Sequence, residues 1–286
     1  MSTIINAFSV DVEDWFQVAA FSQYIDRADW ARLECRVERN VDVLLEMLEL
    51  RRVHATFFTL GWIAERYPGM VRRIVAGGHE LASHGYGHQL VNELGRDAFR
   101  NDVIRAKGIL ESIGGVGILG YRAPSFSIGR DTLWALDVLQ DTNHRYSSSI
   151  YPIQHDLYGM PEAPRFAHVR PNGLLEVPAT SLRLFNRNFP AAGGGYFRLL
   201  PYRVSRWSIR RVNRREREST VFYCHPWEID PGQPRVDSAR MKARFRHYVN
   251  QSRMLPKLER LLADFTWGTV AHTIASVALQ RDTTPQ

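Results

Sequence analysis

Short apolar segments alternate with segments of helical periodicity along most of the chain. The apolar segments predict strands at residues 4–10, 54–60, 80–83, 116–121, 174–177 and 221–224. Helical spacing of apolar residues predicts helices at 39–50, 70–76, 97–113 and 131–139, with a closing helix around 239–262. This alternation is typical of parallel βα units. It predicts an α/β fold, a complete or distorted (β/α) barrel, in which chemistry lies at the carboxyl ends of the strands.

Length and composition favour a single globular domain. The chain has 286 residues, of which 44% are hydrophobic and 11% aromatic, so it can bury a large core. The same composition excludes disordered, collagen-like and coiled-coil classes. Because no repeat or linker marks a boundary, we predict one domain over residues 1–286. The chemical motifs lie within 9–228, and we expect 233–286 to form a helical extension packed on the barrel.

Two motifs that follow predicted strands carry groups able to bind a divalent cation. His84 and His88 are four residues apart, a spacing that lets both imidazoles face one ion. Asp11, Glu13 and Asp14 end the first strand, where a cation or an arginine would relieve their mutual repulsion. Incidental histidines and a solvated turn or helix N-cap are the respective alternatives. Together the motifs predict a two-His-one-carboxylate site, with a further carboxylate available as general base.

Two further strand ends carry an arginine and a histidine. Arg122 precedes a proline turn that could aim its guanidinium at a carboxylate. His225 is followed by Pro226, which keeps it out of helical conformation, and an imidazole titrates in the range that suits a general acid. An ordinary arginine turn and a structural histidine remain the alternatives for these two residues.

The four motifs, in this order, resemble the polysaccharide deacetylase family, also called the NodB homology domain or carbohydrate esterase family 4. They read SVDVED at 9–14, SHGYGH at 83–88, RAPSF at 122–126 and YCHP at 223–226. The stretches SSSIYPIQHDLYG at 147–159 and GGGYFRLLPY at 193–202 resemble a bacterial subfamily associated with exopolysaccharide loci and exosortase systems. The resemblance runs nearly end to end. It implies a distorted (β/α) barrel with one divalent metal ion, usually zinc.

The family pattern also implies roles for individual residues. Asp11 would be the base that takes a proton from the attacking water, and His84 and His88 the imidazole ligands. Arg122 would pair with Asp11, and His225 would protonate the departing amine. No covalent intermediate is required by such a mechanism.

The third ligand is open between two acids. The common family motif has two adjacent aspartates, whereas this chain inserts Val12 and offers both Glu13 and Asp14. The Asp-x-Asp spacing of some relatives favours Glu13, and the usual residue type favours Asp14. For the oxyanion, the resemblance implies the metal and a backbone N–H after the proline, that of Ser125, with the family's aromatic side chain displaced to Phe126.

One position departs from the family in a way that affects the acid. Ser147 stands where relatives commonly have the Asp of Tyr-Asp-Ser-Ser. If that Asp orients or tunes the acid histidine, Ser147 cannot supply its charge. Activity would then be reduced, or a neighbour such as Asp156 would substitute.

Aromatic residues near the motifs are candidates for sugar stacking. The glycines at 193–195 lack the Lys-Ser/Thr of a P-loop, so we predict a flexible loop over a sugar cleft with Tyr196 or Phe197 stacking on a ring. Trp227, like Trp15 and Trp62, could also stack on a sugar, with core packing as the alternative.

The net charge of +7 is concentrated in one segment. Six arginines and two glutamates lie within residues 206–218 and give a local charge of +4. A solvated helix face is one explanation, and contact with an anionic polymer, a lipid-linked glycan or an acidic membrane surface is the other. No nucleic-acid recognition motif accompanies the charge. The family resemblance implies an N-acetylated glycan as the partner. We expect no nucleic acid and at most peripheral membrane contact through 206–217, and the oligomeric state is open.

The start of the chain has no basic region followed by an apolar run, and no window reaches the roughly 20 apolar residues of a membrane span. Cys35 and Cys224 are too few for a disulfide scaffold. We expect a cytoplasmic location, with a peripheral position at the inner membrane as an option.

The predicted function is metal-dependent N-deacetylation of a saccharide in polysaccharide biosynthesis. The alternatives are an amidohydrolase of the same fold acting on a small cyclic imide or ureide, and a catalytically silent glycan-binding protein.

Overall fold

The computed structural model describes residues 4–156 and 158–275. The strands of this part of the chain are β1 (Ile5–Val12), β2 (Thr56–Thr59), β3 (Glu80–Ser83), β4 (Gly120–Tyr121), β5 (Tyr146–Ser147), β6 (His168–Val169), β7 (Leu175–Glu176), β8 (Ser181–Leu184), β9 (Arg187–Pro190), β10 (Val221–Cys224) and β11 (Thr266–Gly268). The α-helices are α1 (Val37–Leu50), α2 (Gly61–Arg66), α3 (Pro68–Ala76), α4 (Arg96–Gly114), α5 (Trp134–Asp141), α6 (Gly194–Leu199), α7 (Tyr202–Arg211), α8 (Met241–Tyr248) and α9 (Met254–Asp264).

The main sheet has the strand order β10-β1-β2-β3-β4-β5-β7-β6. All neighbours from β10 to β7 are parallel, and β6 pairs antiparallel with β7 at one end. The sheet curls until the segment after β7 reaches β10, where the N–H of Thr180 donates to the carbonyl of Val221 at 3.4 Å. The predicted α/β class and distorted barrel are therefore confirmed.

The central strands are buried on both faces, which explains their uninterrupted apolar sequences. In β1 every residue from Asn6 to Val12 is buried. On the outside of the sheet, α1 contributes Val41, Leu44 and Leu48 to the same core cluster as Phe8. Their helical spacing, which predicted α1, is the spacing of this buried face.

The C-terminal region differs from the prediction of a helical extension. The single helix predicted at 239–262 is two helices, α8 and α9, because Asn250 adopts a left-handed conformation with φ of 53° between them. Beyond α9, β11 pairs with Ile5–Ala7 of the central strand. This region therefore adds a strand beside β1, and residues 276–286 lie outside the described part of the chain.

The β8–β9 hairpin was not predicted. Its two turn residues, Phe185 and Asn186, have φ of 49° and 60°. Turns of this kind are normally signalled in sequence by Asn-Gly or Asp-Gly, and neither is present here. No helix in the described residues is long and apolar enough to cross a membrane.

Candidate active site

The four sequence motifs follow four strands whose carboxyl ends lie at the same rim of the barrel. The register aligns Val12 with Thr59, Thr59 with Ser83, and Ser83 with Tyr121. On the other edge of β1, Val10 pairs with the last residue of β10. Because parallel strands end at a common level, residues directly after them meet there. The residues brought together are Asp11, Glu13, His84, His88, Arg122 and His225.

Glu13, His84 and His88 form a buried cluster whose potential ligand atoms all lie within 4.8 Å of one another. The Oε2 atom of Glu13 is 2.5 Å from Nε2 of His88. Nε2 of His84 has no hydrogen-bond partner among the described residues, and Oε2 of Glu13 has none besides this contact with His88. Buried polar atoms are normally satisfied, so converging unsatisfied atoms indicate a missing partner. One carboxylate and two imidazoles fit a divalent ion such as zinc with open positions for other ligands.

His84 is held in the form that a metal requires. Its Nδ1 atom lies 2.8 Å from the carbonyl oxygen of Arg122, so Nδ1 carries the proton and donates it. Burial lowers the pKa of His84 to about 4, which keeps the ring neutral. The lone pair of Nε2 therefore points into the cluster, the arrangement typical of a ligating histidine.

The loop between the two histidines is anchored by Asp102 of α4, a residue that the sequence analysis missed. Its Oδ2 accepts a hydrogen bond from the N–H of Tyr86 at 2.9 Å. Gly85 has φ of 77°, and a Cβ there would lie 2.8 Å from the same oxygen. His88 itself adopts φ of 52°, an unfavourable conformation that the anchored loop maintains. The small residues between the histidines are thus explained by close backbone packing.

Asp14 points away from this cluster, so the option that it is the third ligand does not fit the structure. Its Oδ2 accepts hydrogen bonds from the N–H groups of Arg36 and Val37 at the start of α1, at 2.5 and 2.9 Å. Its Oδ1 accepts from the N–H of Trp15 at 2.8 Å. Asp14 is completely buried and occupied by backbone donors at a helix N-terminus. Asp14 therefore supports the start of α1, a role that neither the ligand hypothesis nor the alternative of a solvated turn or N-cap before Trp15 described, and Glu13 is the acid in the cluster.

Asp11 and Arg122 form the expected pair. Nη1 of Arg122 donates to Oδ1 of Asp11 at 2.6 Å and to Oγ of Ser9 at 2.8 Å. The other guanidinium nitrogens donate to the carbonyl and hydroxyl of Ser148 at 3.2 and 2.9 Å. The guanidinium is fully buried over the ring of Phe58 at 4.0 Å. Arg122 therefore fixes one oxygen of Asp11 and leaves Oδ2 directed at the site.

His225 lies between two groups of carboxylates. Its Nε2 is 3.9 Å from Oδ2 of Asp11 and 3.7 Å from Oε1 of Glu13. Its Nδ1 is 3.2 Å from Oε2 of Glu228. Burial opposes protonation, but the charges of Glu13 and Glu228 outweigh it and raise the pKa of His225 to about 9. A protonated imidazole with Nε2 facing Asp11 has the properties of a general acid.

Glu228 is the second residue that the sequence analysis missed. Its carboxylate is fully buried, pairs with Arg198 at 2.9 Å, and accepts the N–H of His225 at 3.0 Å. The glycines at 193–195 explain how it fits. A Cβ on Gly194 would overlap the carboxylate, whereas a Cβ on Gly195 would meet no atom within 4 Å. A signal was present in the sequence, since an acid three residues after the histidine can bond back to it.

The family aspartate that Ser147 replaces is not substituted by Asp156. Neither Ser147 nor Asp156 places a negative charge next to His225. Ser147 donates its hydroxyl to Ser149 at 2.8 Å. Asp156 pairs with Lys242 at 2.6 Å and with Arg246 at 3.2 Å at the protein surface. In the described structure, Glu228 contacts Nδ1 of the histidine instead.

Trp227 is not placed for sugar stacking. Its ring is stacked on His225 on one side and on His247 on the other, at centroid distances of 5.1 and 4.2 Å. Its Nε1–H donates to Oε1 of Glu13 at 3.0 Å. Both ring faces are covered, which leaves no face of Trp227 for stacking on a sugar, although the residue lines the cleft. The indole instead orients the carboxylate of the Glu13–His84–His88 cluster.

A cleft of about 1220 Å³ opens over these groups. Ser125, Phe126 and Tyr196 line it, as expected for residues near a substrate. Ser125 and Phe126 both have positive φ, 52° and 51°, which turns the chain sharply after the proline. Phe197, the alternative to Tyr196, is 2% exposed and belongs to the hydrophobic core, so it cannot stack on a sugar.

The sequence is similar to those of known deacetylases. The polysaccharide deacetylase family matches residues 30–146, and a domain of unknown function (DUF3473) matches residues 148–275. A peptidoglycan-N-acetylglucosamine deacetylase of Bacillus cereus is 35% identical over 95 residues, 33% of this chain and 34% of the relative. A chitooligosaccharide deacetylase of Sinorhizobium fredii is 34% identical over 97 residues, 34% of this chain and 42% of the relative. The aligned stretches thus span well under half of these curated relatives.

Solved structures resemble the chain over nearly its whole length. A polysaccharide deacetylase from Mycobacterium smegmatis, described as putative, superposes with a TM-score of 0.64 at 21% identity, covering 99% of this chain and 93% of that one. The PuuE allantoinase superposes with a TM-score of 0.62 at 16% identity, covering 99% and 92%. Identities this low establish the fold alone. Within this fold, the match to the polysaccharide deacetylase family (NodB homology domain, carbohydrate esterase family 4) covers the strands β2 to β4.

Proposed function

We propose that this protein is a metal-dependent N-deacetylase that hydrolyses N-acetyl groups of a glycan in bacterial exopolysaccharide or cell-surface polysaccharide synthesis. The observation that carries the proposal is the position of His225. Its Nε2 lies within 4 Å of both Asp11 and the Glu13 carboxylate of the unsatisfied cluster. A base, an acid and a candidate metal site thus share one cleft, as amide hydrolysis requires.

Glu13, His84 and His88 would hold the ion, most simply zinc. When bound, zinc supplies Lewis acidity that polarises an amide carbonyl and makes water acidic enough to lose a proton near neutral pH. The protein's part is to orient the ligand side chains. The carbonyl of Arg122 accepts a hydrogen bond from the ring of His84, and the indole of Trp227 donates one to the carboxylate of Glu13.

Asp11 would be the base. Arg122 occupies Oδ1, so Oδ2 is the oxygen that can take the proton of the attacking water. His225 would be the acid, donating from Nε2 to the amide nitrogen as the carbon–nitrogen bond breaks. The backbone N–H of Ser125 is a candidate donor to the carbonyl oxygen because the residue lines the cleft after a sharp turn. Tyr196 remains our candidate for stacking on a sugar ring.

The size of the cleft supports a glycan over a small cyclic ureide. Sites for small molecules usually enclose about 300–1,000 Å³. The cleft here has about 1220 Å³ and is lined by residues from many segments of the chain. Likeness to the allantoinase fold does not favour the ureide, because the M. smegmatis deacetylase superposes equally well. The named substrates of the curated relatives, peptidoglycan N-acetylglucosamine and chitooligosaccharide, support an N-acetylated sugar.

Acetate release from a panel of N-acetylated glycans, measured with and without a chelator, tests the proposal. We expect release from at least one chitooligosaccharide or peptidoglycan fragment, loss with chelator and recovery with zinc. Allantoin serves as the ureide control and should not be consumed. Chelated protein that works as fast as untreated protein would show that the metal has no part in the reaction.

Asp11→Asn is expected to lower kcat by about 10²–10⁴, the usual contribution of a general base. The amide oxygen of the new side chain can still accept a hydrogen bond from Arg122, so zinc content should be retained, but the buried guanidinium loses its ion pair and the unfolding midpoint should fall. Zinc content by elemental analysis and the thermal unfolding midpoint are the controls. A rate within a few-fold of wild type would assign the base to another group.

Gly194→Ala is expected to lower kcat by roughly 10²-fold, because the added methyl group displaces Glu228 and with it His225. Gly195→Ala is the matched control and should remain near wild type, since its methyl group meets no neighbour. We would compare the two variants by their initial rates of acetate release and by their thermal unfolding midpoints. Equal rates in the two variants would contradict the role assigned to this contact.

A further inference from the structure

An exposed surface is formed by two neighbouring elements, the β8–β9 hairpin and α7 with the π-helical turn (Val212–Glu216) that continues it. Val212 of the turn packs against Leu182 of the hairpin in one buried cluster. Arg165 bridges the elements, donating to the carbonyl of Ser181 at 2.7 Å and to Oε1 of Glu216 at 3.1 Å. The two elements therefore present one continuous surface, which we call the arginine–aromatic surface.

Large apolar side chains on this surface are open to solvent. Phe185 at the tip of the hairpin is 96% exposed and Phe189 is 45% exposed. On α7, Trp207 is 48% exposed and Val204 is 40% exposed. Single exposed apolar residues are ordinary, but several on adjacent elements mark a contact surface.

The same surface is strongly basic. In the described structure, seven arginines of this surface form no ion pair. They are Arg183, Arg187, Arg203, Arg210, Arg211, Arg214 and Arg215. The acids nearby are already used, since Glu216 pairs with Arg165 and Asp264 pairs with Arg206. The next acid along the chain, Glu218, lies two residues beyond the π-helical turn. Positive charge that the protein does not neutralise calls for an anionic partner.

We propose that the arginine–aromatic surface binds the headgroup layer of an anionic lipid bilayer. Helices that lie at membrane interfaces typically combine arginine with tryptophan and phenylalanine. Their guanidinium groups bind the phosphates of the lipid headgroups. The opposite face of α7 is held in the protein by Tyr202, Ser205 and Ile209. Contact is therefore shallow, through the hairpin tip and one helix face. Exposed phenylalanine at a hairpin tip favours a lipid phase over a soluble polyanion.

This surface borders the catalytic cleft. Asn188 of the hairpin donates to the carbonyl of Pro161, which lines the cleft, at 3.2 Å. Leu199, which ends α6 three residues before α7, is 46% exposed and also lines it. Membrane docking would therefore hold the cleft at the bilayer surface. The proposal does not depend on the catalytic activity, and its test does not measure it.

The test is sedimentation of the full chain with vesicles of phosphatidylcholine alone and of an equal mixture of phosphatidylcholine and phosphatidylglycerol. We expect binding to the mixed vesicles and little binding to the neutral ones, weakened by salt. Arg187→Gln, Arg203→Gln and Arg214→Gln together should lower the partition coefficient about a hundredfold. Phe185→Ser should lower it roughly tenfold, because its ring no longer enters the apolar layer.

Matched variants elsewhere on the surface separate a specific site from net charge. Arg51, Arg72 and Arg145 are exposed and form no described ion pair, so their replacement by Gln removes the same charge. Leu50, which is 84% exposed, is replaced by Ser as the apolar control. Both controls should bind like wild type. Equal losses in the two triple variants, an unchanged Phe185→Ser, or binding to soluble dextran sulfate or duplex DNA without binding to vesicles would each overturn the proposal.

Discussion

Glu13→Gln is expected to abolish zinc binding and acetate release, whereas Asp14→Asn is expected to leave both largely intact. The glutamine amide still offers an oxygen to the indole of Trp227, but its nitrogen replaces the atom that faces His88. Loss of a ligand atom should cost more affinity than the ten- to hundredfold that follows loss of a supporting hydrogen bond. Isothermal titration with zinc and elemental analysis of the purified variants measure the difference.

Asp14→Asn should instead reduce stability. A buried amide group would face the backbone donors of Trp15, Arg36 or Val37, which costs about 1–3 kcal/mol. The expected pattern is a lower unfolding midpoint with zinc still bound. The reverse pattern, zinc lost from Asp14→Asn and kept by Glu13→Gln, would return the ligand role to Asp14.

His225→Gln is expected to lower kcat/KM by about 10²–10⁴, as loss of a general acid does. Glu228→Gln should give a smaller loss together with a change in the pH profile. The acid works when protonated, so activity falls as pH rises through the pKa of His225. Because the charge of Glu228 raises that pKa, its removal should move the alkaline limb to lower pH. Rates measured across neutral and alkaline pH test the shift.

Glu228→Asp separates the effect of Glu228 on the pKa of His225 from its contribution to packing and stability. Glu228 also pairs with buried Arg198, so Glu228→Gln should lower the unfolding midpoint as well. Glu228→Asp keeps the negative charge and should restore the alkaline limb at least in part, whatever its effect on stability. An unchanged limb in Glu228→Gln would mean that Glu228 supports the fold without acting on His225.

Much of the fold follows from local pattern. The strands at Glu80–Ser83 and Val221–Cys224 have the predicted bounds. The first begins after the helix stop at Gly77-Gly78, and the second is an apolar run that ends at His225-Pro226. β7 (Leu175–Glu176) lies within the strand predicted at 174–177. By contrast β5 and β6, which were not predicted, have two residues each, too few to show a period of two. β11 has no distinctive pattern of its own and forms because Ile5–Ala7 offers it a partner. Non-local pairing decides such elements.

The sequence by itself placed the site's chemistry, because motifs at the ends of parallel strands must meet at one rim. Asp11, His84, His88, Arg122 and His225 could be grouped in this way without coordinates. Only the tertiary structure decided between neighbours such as Glu13 and Asp14. The side chains of adjacent residues point in different directions. Asp14 accepts hydrogen bonds from backbone N–H groups at the start of α1, which is more than 20 residues away in sequence.

The tertiary structure also decided which residues support the site and what surrounds it. Glu228 meets Gly194 and Arg198 across a long stretch of chain, and no local pattern records that contact. The arginine-rich segment was visible as charge, but its partner, the hairpin with Phe185, joins it only through packing on Val212. Local sequence specifies which chemical groups are present and which strand or helix each of them follows. Long-range packing specifies where they point, because side-chain direction depends on neighbours that are distant in sequence.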